Sequence, residues 1–448
     1  MLSFPIRFKV VGLMKTLLLL TLLTVGAASP PPDVKQWQLS NGLHVIFLTD
    51  HKAPVVTVQL FYHAGGKDEP AEKRGIAHMF EHMMFKGSKH VAPEQHARFI
   101  DSVGGTENAF TDDDATGYHD TVPPYALEFT LQLEAERMRN LALVQKTIDS
   151  EREVVKEELR MRLENSPVRQ AIEKLLQLAF VTHPYRLSPI GEKAMLDTVT
   201  ISDCQRFYDT FYRPNNATLI VVGDVDEARV RTLVERHFGP LERGPERPVL
   251  GAKEAPQTEP RNASLTMPVR LPVLVGAYHI PEAASDDLYA LDVLQRVLSG
   301  GESSRLHQRL VRHDRSAIAA GGFVFAHEDP GLFVTYAAYL PTGDSSQIQR
   351  SLDEEIARLV QQPIEPRELT KAKNQLAAQS VYHRERVTEL ATEMGMDGIV
   401  VHDPLRGFHA ADRYETVTAH DVMRVAGRYL APHLRSLVVL VPAKEGRP

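Results

Sequence analysis

The chain has 448 residues, 43% of them hydrophobic and 24% charged, and a formal net charge of -7. That length exceeds what one hydrophobic core fills, and that balance of residues excludes a disordered chain. The acidic charge argues against nucleic acid as the main partner, and a single cysteine, Cys204, excludes an intramolecular disulfide or a thiolate zinc cluster.

The first residues read as an export segment. Arg7, Lys9 and Lys15 supply positive charge, and residues 16–25 are an apolar run too short to span a bilayer comfortably. Gly26-Ala27-Ala28 offers small residues for cleavage, and Ser29-Pro30-Pro31-Pro32 opens a mature linker. A cleaved signal peptide over residues 1–28 and a periplasmic destination are expected. Met14-Lys15 would also make a compact start of its own.

Residues 37–50 read as a hairpin around the turn Asn41-Gly42. Residues 55–63 read as a strand ended by Ala64-Gly65-Gly66. Residues 75–87 follow as a predicted short helix, with Pro70 before it and Gly87 to close it. On it His78 and His82 stand one turn apart and point the same way. Two imidazoles so placed can bind one Zn²⁺. Glu81, on the same side, can take a proton from water activated by the metal. The pattern H-x-x-E-H is the inverted zinc-peptidase arrangement. A chain with 19 histidines can produce such a triple by chance. However, Ile76, Ala77, Met79, Phe80, Met83, Met84 and Phe85 leave this helix apolar nearly all round, so it should be buried. Burying His-Glu-His there is costly unless something pairs with all three, as a metal would.

Residues 93–103 predict an amphipathic helix stopped by Gly104-Gly105. The polar segment after it contains Asn108, Ala109, Phe110 and Thr111, and reads as a strand. At a sheet edge its free backbone groups would pair with an extended peptide. Residues 125–143 predict a helix, and residues 151–161 another, rich in glutamate. Glu151 and Glu158 are seven apart there and share a face. A catalytic zinc takes three protein ligands and keeps an open position. A carboxylate from this helix fits as the third, with a second acid orienting a ligand from behind. Spacing alone does not choose between Glu157 and Glu158, and a glutamate-rich helix by itself is ordinarily a solvated surface. Cys204 falls in an amphipathic helix as a packing residue.

An internal repeat organises the chain. Thr198-Val199-Thr200-x-x-Asp203, then Pro214 and Leu219-Ile220-Val221-Val222, recur as Thr416-Val417-Thr418-x-x-Asp421, then Pro432 and Leu437-Val438-Val439-Leu440. The offset is about 218 residues throughout. The expected fold is α+β: two homologous duplicated domains, each a mostly antiparallel sheet with helices packed on one face. They span residues 33–238 and 264–442, and an exposed linker rich in Pro, Gly and charge, residues 239–263, joins them. In the second half, residues 289–298 take the place of the metal helix. Asp292 and Arg296 stand roughly where His78 and His82 would be, so this half keeps the scaffold and lacks the metal ligands.

His78-x-x-Glu81-His82 followed by Glu151-Arg152-x-Val154-Val155-x-Glu157-Glu158 resembles the pitrilysin family of zinc peptidases, which includes insulin-degrading enzyme and the mitochondrial processing peptidase. The resemblance implies that Glu158 completes the metal site and Glu151 is its supporting carboxylate. It also implies that Asn108-Ala109-Phe110-Thr111 is the edge strand that pairs with substrate. Single-chain relatives carry an Arg and a Tyr, held to contact substrate, after a Ser-Ser-Arg-Leu motif. Here Ser303-Ser304-Arg305-Leu306 is present, but Val311 and Ile318 fall at those two positions, with Arg309 and Arg312 nearby. This looks like the metal-bearing subunit of the two-component bacterial branch. A homologous metal-less partner would then supply the Arg and Tyr, and the pair would close into a shell of four similar domains.

The expectation is an exported zinc metalloendopeptidase with one Zn²⁺ per chain held by His78, His82 and Glu158. Glu81 is its general base, and peptides or unfolded segments are its substrates. It would be active as a heterodimer. The alternatives are a non-catalytic, zinc-retaining scaffold subunit and a self-sufficient homodimeric peptidase. The intact Glu81 favours an enzyme, because a scaffold has no need of a base.

Overall fold

The computed structural model describes residues 32–248 and 253–443. The expected signal peptide, residues 1–28, lies outside the described residues. The described residues from Val34 onward form one compact unit, and two sheets lie within it.

The first sheet contains β1 (Lys35–Gln38), β2 (His44–Thr49), β3 (Val56–Tyr62), β4 (Thr106–Thr111), β5 (Thr116–Val122) and β6 (Ala217–Gly223) in the order β1-β2-β6-β3-β5-β4. The second contains β7 (Arg261–Met267), β8 (Val273–His279), β9 (Ala319–Phe325), β10 (Leu332–Ala338) and β11 (Arg435–Pro442) in the order β7-β11-β8-β10-β9. Apart from the extra hairpin strand β1, the two orders correspond strand for strand. The pairing sense agrees too: β2 runs parallel to β6 as β7 does to β11, and every other step is antiparallel. This is the duplicated, mostly antiparallel architecture the repeat implies.

The helices of the first half are α1 (Ile76–Met83), α2 (Gln95–Ser102), α3 (Leu127–Asn140), α4 (Gln145–Leu159), α5 (Pro167–Ala179), α6 (Lys193–Leu196), α7 (Ile201–Phe211) and α8 (Glu227–Phe238). Those of the second are α9 (Asp287–Ser299), α10 (Ser345–Gln361), α11 (Pro366–His383), α12 (Val387–Val400), α13 (Arg406–Thr416) and α14 (Ala419–Tyr429). The repeated Thr-x-x-Asp motif is a capping box in both halves. Thr200 and Asp203 close the first turn of α7, and Thr418 and Asp421 do the same for α14. The repeat therefore marks helix starts, and α7 and α14 each lead into the strand, β6 or β11, near the centre of its sheet.

Each half covers one face of its sheet with its own helices. On β3, Val56, Val58, Leu60 and Tyr62 join a core with Ile76, Met79 and Phe80 of α1. The other face is covered from the opposite half. Helix α12, from the second half, packs Leu390, Ala391 and Met394 against Ile46, Phe61 and Ile220 of the first sheet. Helix α5, from the first half, packs Ala171, Leu175 and Ala179 against Val275, Val334 and Val438 of the second. This exchange explains why all of β3 is buried although its sequence includes Thr57 and Gln59. The Gln59 amide donates to the Thr388 carbonyl (2.7 Å) and accepts from the Thr392 hydroxyl (3.0 Å), so its polar atoms are satisfied by α12.

The segment expected as a linker differs from a free tether. Gly244 N–H donates to Asn215 (2.7 Å), and Arg247 pairs with buried Asp68 (2.7 Å). The Glu254 carboxylate accepts the backbone N–H groups of Val181, Thr182 and His183. Strand β7 already begins at Arg261.

Candidate active site

Helix α1 enters through Gly75, whose φ of 97° is open to glycine at little cost. Its first N–H groups are capped by a residue outside the helix. The buried Glu69 carboxylate accepts from Gly75 N–H (3.0 Å) and Ala77 N–H (2.7 Å), and Arg74 lies beside it at 3.4 Å. Burial pushes the Glu69 carboxyl up to about 7, against Arg74 and these N–H donors. The helix ends at Met83, short of the expected stop at Gly87.

Helix α4 lies alongside α1 and turns two acids towards it. Glu158 Oε2 lies 3.2 Å from His82 Nε2 and 3.8 Å from His78 Nε2. The ligand atoms of His78, His82 and Glu158 all fall within 4.8 Å of one another. Behind them, Glu151 Oε2 lies 3.6 Å from His82 Nδ1, and its other oxygen is 3.5 Å from Lys86 Nζ. Of the two acids that spacing leaves open, Glu158 faces the rings, whereas Glu157 points outward and pairs with Arg160 on an exposed turn. After Glu158 the chain forms a π-helical turn, Arg160–Glu164, which returns Arg162 to Glu158 Oε1 at 2.8 Å.

The electrostatics suit a divalent ion. Burial, with His82 and Arg162 nearby, holds His78 down to about 3, so its ring is neutral and able to ligate. Burial opposes a proton on His82, but its hydrogen bond to Glu151 and the charges of Glu158 and Glu81 outweigh it and raise its pKa. The carboxylates around that ring therefore call for positive charge at its centre. Two imidazoles and a carboxylate are an accepted donor set for zinc with one position left open. Burial also raises Glu81, against the hydrogen bond it accepts from the Thr111 hydroxyl at 2.6 Å. A carboxylate raised in this way is poised as a base nearer neutrality.

Asn108, Ala109, Phe110 and Thr111 lie on β4, the last strand of its sheet, paired only with β5. Asn108 is exposed and the other three are half-buried. The site opens into a cleft of about 620 Å³ that His78, Thr111, Arg162 and Arg169 help to line. The tie from Thr111 to Glu81 carries no pattern in the sequence, because it joins segments 30 residues apart. The Glu69 cap and the Arg162 pair are local contacts, the latter at i,i+4 from Glu158.

At the corresponding place in the second half, the Asp292 carboxylate accepts from the Tyr414 hydroxyl (2.9 Å), and Arg296 donates to Gln379 (2.5 Å). A guanidinium cannot ligate a metal. Two other groups of possible ligands occur among the described residues. In the buried set His96–Asp120–Glu134, Arg137 already grips Glu134 with two hydrogen bonds. In the other, Asp112–Asp113–His327, burial works against a charged His327. Its hydrogen bond to Asp114 and the Asp113 and Asp114 charges still raise it to about 9, and the imidazolium supplies the positive charge.

Residues 44–192 match the family profile of insulinase (peptidase family M16), and residues 198–376 match the peptidase M16 inactive domain. The zinc protease PqqE of Helicobacter pylori is 31% identical over 439 residues, covering 97% of this chain and 98% of that protein. The chain belongs to peptidase family M16. A further relative, an uncharacterized zinc protease of Rickettsia felis, is 25% identical over 90% of this chain and 96% of its own length. A crystal structure of a protease from H. pylori superposes with a TM-score of 0.87 at 30% identity, covering 92% of this chain and 100% of that one. A peptidase M16 inactive domain from Pseudomonas fluorescens shares the fold (TM-score 0.84, 17% identity, 93% and 100% coverage).

Proposed function

We propose that this M16 chain is an exported zinc metalloendopeptidase that uses Glu81 as its general base and cleaves extended peptides or unfolded segments. The observation that carries the reading is the convergence of His78, His82 and Glu158 from two helices, with Glu81 beside them at the end of an edge strand. The names of its relatives, zinc proteases, support zinc as the metal.

His78, His82 and Glu158 would hold the ion, with Glu151 fixing His82 from its far side. The ion supplies Lewis acidity, acidifying water and polarising a carbonyl. Glu81 takes the proton that the attacking water loses and delivers it to the departing amine. The Thr111 hydroxyl keeps the Glu81 carboxylate turned to the site. The free edge of β4 pairs with the substrate backbone, so affinity comes mainly from main-chain hydrogen bonds.

Export rests on the charged and apolar pattern of residues 1–28 and their small-residue end. Among the described residues no helix is long and apolar enough to cross a membrane. A partner subunit follows from Val311 and Ile318, which leave the second half without the Arg and Tyr of the single-chain pattern.

The deciding experiment compares wild type with Glu81→Gln for metal content and for cleavage of quenched peptides. The protein is assayed alone and mixed with a homologous chain lacking H-x-x-E-H. Equal metal in both proteins with turnover only in wild type is expected. Normal cleavage by Glu81→Gln would overturn the assignment of the base.

A further inference from the structure

The cleft in front of the site carries a charge pattern that hydrolysis itself does not require. His78, Thr111, Arg162 and Arg169 all line it, with Arg162 held beside the metal-site residues by Glu158. The rest of the lining mixes polar and apolar groups, the apolar part including Leu163, Ile172 and Phe325. Arg162 is committed in part to Glu158. Arg169 is exposed, and no carboxylate among the described residues lies within ion-pair distance of it. The one acid in the lining, Glu173, is one turn from Arg169 and feels its charge, but burial raises its carboxyl and its hydrogen bonds go to Ser188. A chain of net charge -7 thus turns two guanidinium groups into its reaction cleft.

We propose that this cleft is a subsite for a carboxylate of the substrate, read by Arg169 with Arg162 beside it. The proposal rests on the peptidase reading above and adds a preference to it. A guanidinium matches a carboxylate through paired N–H donors, and the apolar part of the lining suits the short aliphatic stem of a Glu side chain. A free chain terminus offers the same group, so the two sources must be separated. Arg162 is unsuitable as the probe, because its substitution would also disturb Glu158.

The test uses internally quenched nonapeptides of Ala and Val, acetylated and amidated, with one Glu moved through each position and matched by Gln. A second set keeps Gln and carries a free C-terminus. In wild type, Glu at one fixed distance from the cut is expected to raise kcat/KM roughly fivefold over Gln. Arg169→Ala should bring that ratio to about one, and Arg169→Glu should make a Lys peptide the better substrate. A gain confined to the free C-terminus and lost in Arg169→Ala assigns the carboxylate to the chain end. Equal rates for all peptides in wild type, or a ratio that survives Arg169→Ala, overturns the proposal. If wild type cleaves nothing, alone or mixed with the homologous chain lacking H-x-x-E-H, the peptidase reading fails by itself. Binding of the same peptides, fluorescein-labelled, to zinc-loaded Glu81→Gln protein then decides the subsite. A fivefold tighter Kd for Glu or for the free terminus is expected, and equal Kd values overturn it.

Discussion

The hydroxyl of Thr111 donates a 2.6 Å hydrogen bond to Glu81 Oε2 and so joins the end of β4 to the base of the site. Thr111→Val removes the donor while keeping the shape. It should lower kcat about tenfold, with a smaller change in KM, as expected for loss of a group that orients a general base. Thr111→Ser should restore most of the rate. Steady-state kinetics on a quenched peptide checks this, and equal loss in both variants would show that packing alone is at stake.

Glu158 and Glu157 are neighbours with opposite surroundings: Glu158 faces His78 and His82, and Glu157 faces Arg160 at the surface. Glu158→Gln should weaken zinc binding by at least about 100-fold, and Glu151→Gln by about 10–100-fold. Glu157→Gln should leave it unchanged. Competition against a zinc chelator measures all three, and weakened binding in Glu157→Gln would reassign the ligand.

Gly395 of α12 lies directly against the Phe61 ring of β3, and a Cβ at that position would overlap it. Gly395→Ala should destabilise the protein by about 1–3 kcal/mol through overpacking. A lowered melting temperature with unchanged metal content is the expected signature. An unchanged melting temperature would argue that α12 does not bind the first sheet tightly.

His327, in the second half, sits between Asp113 and Asp114 of the first, at 4.0 Å and 3.5 Å. Burial disfavours its charge, but the Asp114 hydrogen bond and both aspartate charges prevail and raise it from 6.5 to about 9. A histidine raised on folding stabilises the native state fully below pH 6.5, and that contribution disappears as pH rises through about 9. Between pH 6 and pH 9.5 wild type should therefore lose on the order of 2 kcal/mol more stability than His327→Gln. Denaturant titrations at the two pH values check this, and parallel losses would exclude the mechanism.

Some of this protein is written locally. The hairpin at Asn41-Gly42, strand β3, and helices α2, α3 and α4 were all readable, because turn chemistry and periodicity act within a few residues. The pair His78 and His82 with Glu81 belongs to the same class, since one helical turn places them together. One boundary was not readable: Gly87 is a proper stop signal, yet α1 ends four residues earlier. The described part of the Pro- and Gly-rich stretch after residue 239 is mostly exposed, and composition alone does not show that Arg247 and Glu254 tie it down.

The amino-acid order by itself thus determined the elements, the duplication and the one-turn histidine pair, all of which depend on near neighbours or on matching copies. The tertiary structure alone decided that Glu158 rather than Glu157 turns inward and that Thr111 reaches Glu81. It also decided that α5 and α12 each cover the other half's sheet. These are meetings of groups tens to hundreds of residues apart. Their geometry follows from how buried faces pack against one another, which no local periodicity encodes.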